Sequence, residues 1–228
     1  MSESLAVLYE DNHCLAVAKP APLLTQGVPP GIPTLEAMAK AYLREKHDKP
    51  GNVYLGIPHR LDRPVSGVVL FARNTKAARR LAEQFAQRTV RKLYWALVEG
   101  EVAEVEGRWE DWMVKSPEEA RSMIVAADTP GAQLATLSYR RLRMDRARTL
   151  LEVNLETGRM HQIRVQAASR GHPVLGDVFY GGSLPFGPPA ELPRDRIIAL
   201  HALQLTFLHP ILYEPITVTA PVPTYWPR

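Results

Sequence analysis

Residues 149–156, TLLEVNLE, place Leu151, Val153 and Leu155 on one side and Glu152, Asn154 and Glu156 on the other. A period of two belongs to a strand with one buried face, and a slip of one residue would turn every apolar side chain into water. The preceding Ala135 to Arg143 is the natural partner across a turn at Asp145-Arg146-Ala147, so the two read as a hairpin. Short apolar runs recur along the chain. Leu5 to Pro20 predicts two strands around a turn at Asp11-Asn12, Val65 to Ala72 a third, and KLYWALVEG, 92 to 100, a strand ended by Gly. Two proline-punctuated strands are predicted near 197–207 and 216–219.

Helical signals are fewer. Thr34 caps a helix running to about Lys46, with Leu35, Met38, Ala39, Tyr42 and Leu43 on one face. Asn74 caps a second, in which Ala77, Leu81 and Phe85 face inward and Arg80, Gln84 and Arg88 outward. A third spans roughly His161 to Ser169, with Gly171 near its C-cap. Pro20 to Pro33 and the glycines and prolines between 181 and 189 read as loops, and Glu101 to Pro130 as short strands and loops. Strands outnumber helices and come in runs. The prediction is an α+β fold with a mixed, mainly antiparallel sheet flanked by helices and loops, rather than a doubly wound parallel one.

The 228 residues suffice for a sizeable core, and 46% hydrophobic with 23% charged content is ordinary for a globular chain. No run approaches the ~18 apolar residues of a membrane span, and the N-terminus lacks a secretory pattern. Cys14, the only cysteine, excludes an internal disulfide and any multi-cysteine metal site, so the cytoplasm is the default location. The formal charge of +4 is unevenly spread. Arg140, Arg141, Arg143, Arg146 and Arg148 face a single acid, Asp145; Lys76, Arg79, Arg80, Arg88, Arg91 and Lys92 face Glu83. From charge alone these are solvated faces; the sharper reading is a polyanion surface.

The sequence lacks the phosphate loop, the dinucleotide fingerprint, the zincin helix and the nucleophile elbow of α/β-hydrolases. His13, His59, Asp62 and His161 fit no common metal spacing, so no metal is expected. The stretch HRLDRPVSGVVLFAR, 59 to 73, is more informative. Asp62 stands between Arg60 and Arg63, beside Leu61 and the largely apolar run from Pro64 to Phe71. Such an acid is ordinarily a turn or ion-pair residue. A poorly hydrated carboxylate kept ionised by a neighbouring Arg is instead a competent nucleophile. Arg164, sharing a helix face with Ala167 and Ala168, is predicted to point inward and to serve as such a cation. Tyr94 shares a strand face with Lys92 and Ala96, either as a core ring or as one on which a base could stack.

Taken in order, DNHCLAVAKP, HRLDRPVSGVVLFAR, KLYWALVEG, TGRMHQIRVQAASRGHPVLGDVFYGG, LHALQLTFLHP and ITVTAPVP resemble the RluA-type pseudouridine synthase family from Asp11 to Pro223. The match to H-R-L-D-x-x-T/V-S-G and T-G-R-x-H-Q-I-R…G-D-x-x-Y-G is specific; Pro22 departs from it, standing where the family often has Gly. The resemblance implies one catalytic domain over 1–228, without the separate N-terminal RNA-binding domain of many relatives. It implies an isomerase that turns uridine in ribosomal or transfer RNA into pseudouridine, with RNA as partner and no cofactor or metal. By position, Asp62 is the catalytic carboxylate, by attack at C1′ or proton abstraction at C2′. Arg164 is the Arg that pairs with it, Tyr94 the ring on the uracil and Ile163 an apolar contact beside the base. Arg60 fills the space the extruded base leaves, while His59, Arg159 and His161 line the substrate. Arg73, Arg79, Arg80 and Lys92 are expected on the RNA backbone. Two rivals stay open, a non-catalytic RNA-binding protein on the same scaffold and an N-glycosylase that releases uracil.

Overall fold

The computed structural model describes residues 5–27, 31–48, 50–116 and 118–227; residues 28–30 of the first predicted loop and Pro117 in the stretch Glu101 to Pro130 lie outside them. In chain order come β1 (Ala6–Glu10), β2 (Cys14–Lys19), α1 (Leu35–Lys46), β3 (Ser66–Ala72) and α2 (Thr75–Ala86). They are followed by β4 (Arg91–Glu99), β5 (Glu106–Lys115), β6 (Ser122–Val125), β7 (Gln133–Met144), β8 (Arg148–Leu155) and α3 (Gln162–Ser169). β9 (Leu200–Leu208) and β10 (Pro215–Thr219) complete the set. The architecture is α+β, a mixed and mainly antiparallel sheet with three α-helices among the described residues, as the strand patterning predicts.

The chain divides into two compact units. The first is Met1–Val90 with Ala202–Val222, the second Arg91–His201 with Pro223–Arg228. In the first, the strands run β1-β2-β3-β9, with β10 antiparallel to β9. Thr34 and Asn74 cap α1 and α2, their side-chain oxygens accepting from Ala37 N at 3.1 Å and Ala77 N at 2.9 Å. Each cap satisfies one amide that the helix leaves without a partner. All seven residues of β3 are buried. Val68, Leu70 and Ala72 pack with Cys14, Ala16, Ala77, Leu81, Leu205 and Phe207. Removing a buried leucine from such a cluster costs about 2–5 kcal/mol. Gly67 sits at φ +125°, and a Cβ there would collide with the backbone of Ala202. The Gly of the S-G pair is therefore a requirement of strand packing.

Polar networks tie the first unit's edges together. Glu10 accepts from Tyr42 Oη at 2.7 Å, Lys46 Nζ at 2.8 Å and Arg73 Nη1 at 3.1 Å, and contacts His47 Nε2 at 2.9 Å. Asp11 accepts from His13 N and Cys14 N at 2.7 Å each, and from Tyr9 Oη at 2.9 Å. His209 Nδ1 accepts from Ile211 N and Leu212 N, so its proton is on Nε2, which donates to Asp11 at 2.7 Å. The β1–β2 and β9–β10 turns are thereby pinned together.

The second unit carries the antiparallel order β4-β8-β7-β5-β6. The predicted hairpin is β7–β8, in the expected place. β5, however, is a ten-residue strand where only short pieces are expected. Its sequence EGRWEDWMVK hides the alternation, because Trp109 and Met113 are buried on one face while Trp112 on the other is 37% exposed. Two apolar faces blur the period-two signal. Met113 packs with Ala135, Val165 and Tyr180.

Although burial pushes the Glu10 carboxyl upward, hydrogen bonds from Lys46, Tyr42 and His47 bring it down to about 2 from an ordinary 4.5. The folded chain therefore binds fewer protons than the unfolded one between these values. Glu10 stabilises the fold fully above pH 4.5 and loses its contribution as the pH falls toward 2. Glu10→Gln is expected to flatten that acid limb in a pH series of urea unfolding curves.

Candidate active site

In the first unit, the loop that carries Asp62 is held by its backbone on both sides. Buried Thr25 donates its hydroxyl to Leu61 O at 2.9 Å and accepts from Leu61 N at 3.2 Å. On the other side, Lys19 Nζ donates to Arg63 O at 3.2 Å, Pro20 O at 3.1 Å and Leu23 O at 2.6 Å. Three carbonyls match the three N–H donors of an ammonium. Asp62 itself closes a turn, its carbonyl accepting from Val65 N at 3.1 Å, and is half-buried. Burial pushes Lys19, 1% exposed, down to about 7; the Asp62 carboxylate pulls the other way and Arg63 adds to the fall.

The other expected site residues of this unit divide. Arg60 is exposed. His59 is half-buried, its Nε2 accepting from Leu70 N at 2.9 Å and its ring stacked on Phe85 at 4.6 Å. The Arg73 side chain, 9% exposed, is enclosed by Glu10, the Asp11 carbonyl and His47. Arg79 pairs with Glu83 at 3.1 Å in an exposed helix-face bridge. Arg80 donates to Pro210 O at 2.7 Å and lies over the Tyr213 ring.

In the second unit, the T-G-R-x-H-Q-I-R motif leads into α3, whose first turn holds its Gln162, Ile163 and Arg164. Thr157 and Gln162 hold it. The Thr157 hydroxyl donates to Gln162 Oε1 at 2.6 Å and accepts from Thr136 N at 2.9 Å. Gln162 Nε2 donates to Thr136 O at 3.0 Å. Arg159 Nε reaches Leu134 O at 3.0 Å and Nη1 reaches Gln133 Oε1 at 2.8 Å. His161 occupies the left-handed region at φ 56° and bonds Tyr180 Oη at 2.9 Å. Ile163 is buried, as is Arg164, which points inward as its helix position predicts. Arg164 donates to Asp177 from Nε at 2.6 Å and Nη2 at 2.8 Å, a bidentate pair with both side chains nearly enclosed. Such a fork fixes the guanidinium plane. Tyr94 lies half-buried on β4, opposite Val153, and Lys92 Nζ donates to Thr157 O at 3.0 Å.

Lys19, Thr25 and Asp177 were not among the expected site residues. Lysine reads as surface and threonine as a turn residue, so only K-P and G-D of the motifs hinted at two of them. Several arginines of the basic hairpin are already engaged within the protein. Arg140 pairs with Glu152 at 2.8 Å, Arg148 with Asp145 at 3.1 Å, and Arg141 donates to Val102 O and Ala103 O.

The His/Cys/acid grouping found among the described residues is Asp11, Cys14 and His209, a different set from the His13, His59, Asp62 and His161 weighed from the sequence. Its Asp and His are already joined by the hydrogen bonds above, and burial pushes the Cys14 thiol up to about 12. That donor set is a structural knot. No helix among the described residues is long and apolar enough to cross a membrane.

A model of the family described as RNA pseudouridylate synthase matches residues 13–169. The chain belongs to this family. The match runs through both compact units. Ribosomal large subunit pseudouridine synthase D of Xanthomonas campestris is 40% identical across 96% of this chain. The chain spans 66% of that relative's length. The dual-specificity RNA pseudouridine synthase RluA of Pasteurella multocida is 33% identical, with 95% of this chain and 93% of that protein aligned. Among solved structures, human RNA pseudouridylate synthase domain containing 4 superposes with a TM-score of 0.78 at 23% identity, over 96% of this chain and 89% of that one, which shows the fold.

Two outcomes follow for this pseudouridylate synthase fold. Thr25→Val keeps the volume but leaves Leu61 N and O without a partner, at ~1–3 kcal/mol for each buried group. Its thermal midpoint should fall, and the Leu61 amide should exchange faster with solvent while the α2 amides do not. An unfolded lysine holds its proton to about 10.5, so from about 7 to 10.5 the folded chain binds fewer protons and gains stability as the pH rises. Lys19→Met should remove that slope, up to ~1.4 kcal/mol per pH unit, in unfolding curves across the window.

Proposed function

We propose that this chain isomerises uridine to pseudouridine in RNA, with Asp62 as the catalytic carboxylate, acting as nucleophile or base at the ribose. The N1–C1′ bond breaks, the uracil turns over, C5 joins C1′, the C5 proton leaves and N1 takes one up. Nothing is oxidised or hydrolysed overall. Tyr94 is assigned to the uracil ring and Arg164 is kept as the cation of the reaction, roles that the family resemblance implies. Ile163 packs beside the base; Arg159 and His161 are assigned to the substrate's surroundings.

The observation that carries this reading is the backbone grip on both neighbours of Asp62, by Thr25 and Lys19, in a chain of this family. A surface ion-pair loop has no need of it. Pinning the backbone leaves a half-buried carboxylate with few orientations, which lowers the entropic cost of reaching one reacting atom.

Uridine in a stacked or paired RNA hides C1′, so extrusion of the nucleotide is part of the proposal, at a cost of a few kcal/mol, roughly. The exposed Arg60 is suited to fill the gap. Arg79, Arg80 and Lys92 are kept as RNA-backbone contacts. Arg73 is left out because Glu10 encloses it, and His59 because Leu70 N and Phe85 occupy it. Large-subunit ribosomal RNA is the first substrate to test, after the relative named for it, and transfer RNA, which the family resemblance also allows, is the second. Both are cytoplasmic in a bacterial cell, where we place the enzyme.

Release of tritium from C5-labelled uridine in unmodified transcripts measures the reaction directly. Wild type should release it, and Asp62→Asn should fall to background while RNA affinity changes less than about threefold, a small ΔΔG of binding. Free uracil among the products would favour the glycosylase instead; binding without tritium release would favour the non-catalytic scaffold.

A further inference from the structure

Beside Arg164, in the second unit, lies an aromatic ring to which the reaction assigns no task. Phe179 belongs to the 3-10 turn Val178–Tyr180 that follows Asp177. Its side chain is hydrocarbon throughout, yet the residue is 48% exposed, and its neighbour Val178 is 58% exposed. A half-exposed phenylalanine gives the isolated chain little of the stabilisation that burial would provide.

The ring is nevertheless held in place. The Arg121 guanidinium carbon lies 5.1 Å from its centroid, and Arg121 Nη2 donates to the Phe179 carbonyl at 3.2 Å. Tyr180 meets it edge-on at 5.1 Å and His161 at 6.1 Å. Those two rings are themselves fixed, His161 Nδ1 to Tyr180 Oη at 2.9 Å and Ser122 N to the same hydroxyl at 3.0 Å. The Asp177 carboxylate at the head of the turn is gripped by Arg164. Arg121 is 40% exposed, and its acidic contact Glu119 stands 3.8 Å away and 61% exposed. An ion pair that long and that wet is weak and gives way readily to another anion.

A rigid, solvent-facing ring beside an accessible guanidinium suits a nucleobase with its phosphate. Every base has a π-face, and stacking on an aromatic needs no particular sequence. One exposed ring with one guanidinium is enough to hold a base and its phosphate, whereas a protein interface needs roughly 20–30 residues a side. We propose that Phe179, flanked by Arg121, is a stacking platform for an unpaired nucleotide of the RNA other than the one that is modified. This rests on the RNA-modifying reading above. The platform contributes binding and positioning, and takes no part in bond making.

The test compares wild type with Phe179→Ala, Phe179→Leu and Phe179→Trp. The first assay is direct binding of a short single-stranded RNA carrying a fluorescent adenine analogue, whose emission falls on stacking. The second is tritium release from unmodified large-subunit ribosomal RNA transcript. Alanine and leucine should each weaken the short RNA about tenfold and raise KM similarly, with kcat changed less than about twofold, whereas tryptophan should restore both. Leucine matching wild type would overturn the platform, since a merely apolar filler would then suffice. Unchanged RNA binding in all three variants would also overturn it, and is the result expected of a protein-docking patch. If wild type releases no tritium yet the binding series holds, the isomerase reading fails and the platform stands.

Discussion

A lysine with 1% of its surface exposed draws three backbone carbonyls onto one nitrogen, and the shape of the loop around Asp62 follows from it. Burying an ammonium carries a large desolvation cost unless its donors are matched. Here Pro20, Leu23 and Arg63 supply the match, and Thr25 fixes the other flank through Leu61. The segments 19–25 and 61–63, far apart in sequence, are thus one unit of structure. The K-P and R-L-D stretches are linked by this hydrogen bonding, whatever chemistry the carboxylate performs.

The second unit has its own version of the same economy. Thr157, Gln162 and Thr136 close a buried polar ring of bonds, and Gln162 hands on to Gln166, which reaches Asp111 at 2.7 Å. Buried polar groups tolerate enclosure only when every partner is present, and such networks define a single arrangement. Arg164 is presented by this frame and locked by Asp177. Much of the T-G-R-x-H-Q-I-R motif is therefore scaffold: its Thr and Gln hold the backbone, and Arg159 braces the start of β7 through Leu134 O.

Legibility in the sequence tracked locality. The caps at Thr34 and Asn74, the β7–β8 hairpin and the inward face of α3 are set by residues within a few positions of one another, and each was readable. β5 was not, because Trp109 and Trp112 put aromatic surface on both faces and acids between them. Charged residues were the least legible. Arg73 and Arg79 look alike in a sequence, but Glu10 encloses the first and solvent surrounds the second. Asp62 stood out through its motif, whereas Lys19 and Asp177 owe their importance to partners 44 and 13 residues away. Pairings of that range are products of the fold and leave no periodic trace.

The first unit is discontinuous, since its strands β9 and β10 come after the whole of the second unit's sheet. During synthesis on a ribosome, β3 emerges more than a hundred residues before Leu205, Phe207 and Val218, which complete its core. Until then β3, paired with β2 and packed on Ala77 and Leu81 of α2, lacks those partners and the strand on its other edge. The core of the first unit can close only after the intervening 91–201 segment has been made. Vectorial folding from the first residue onward is closed to this topology.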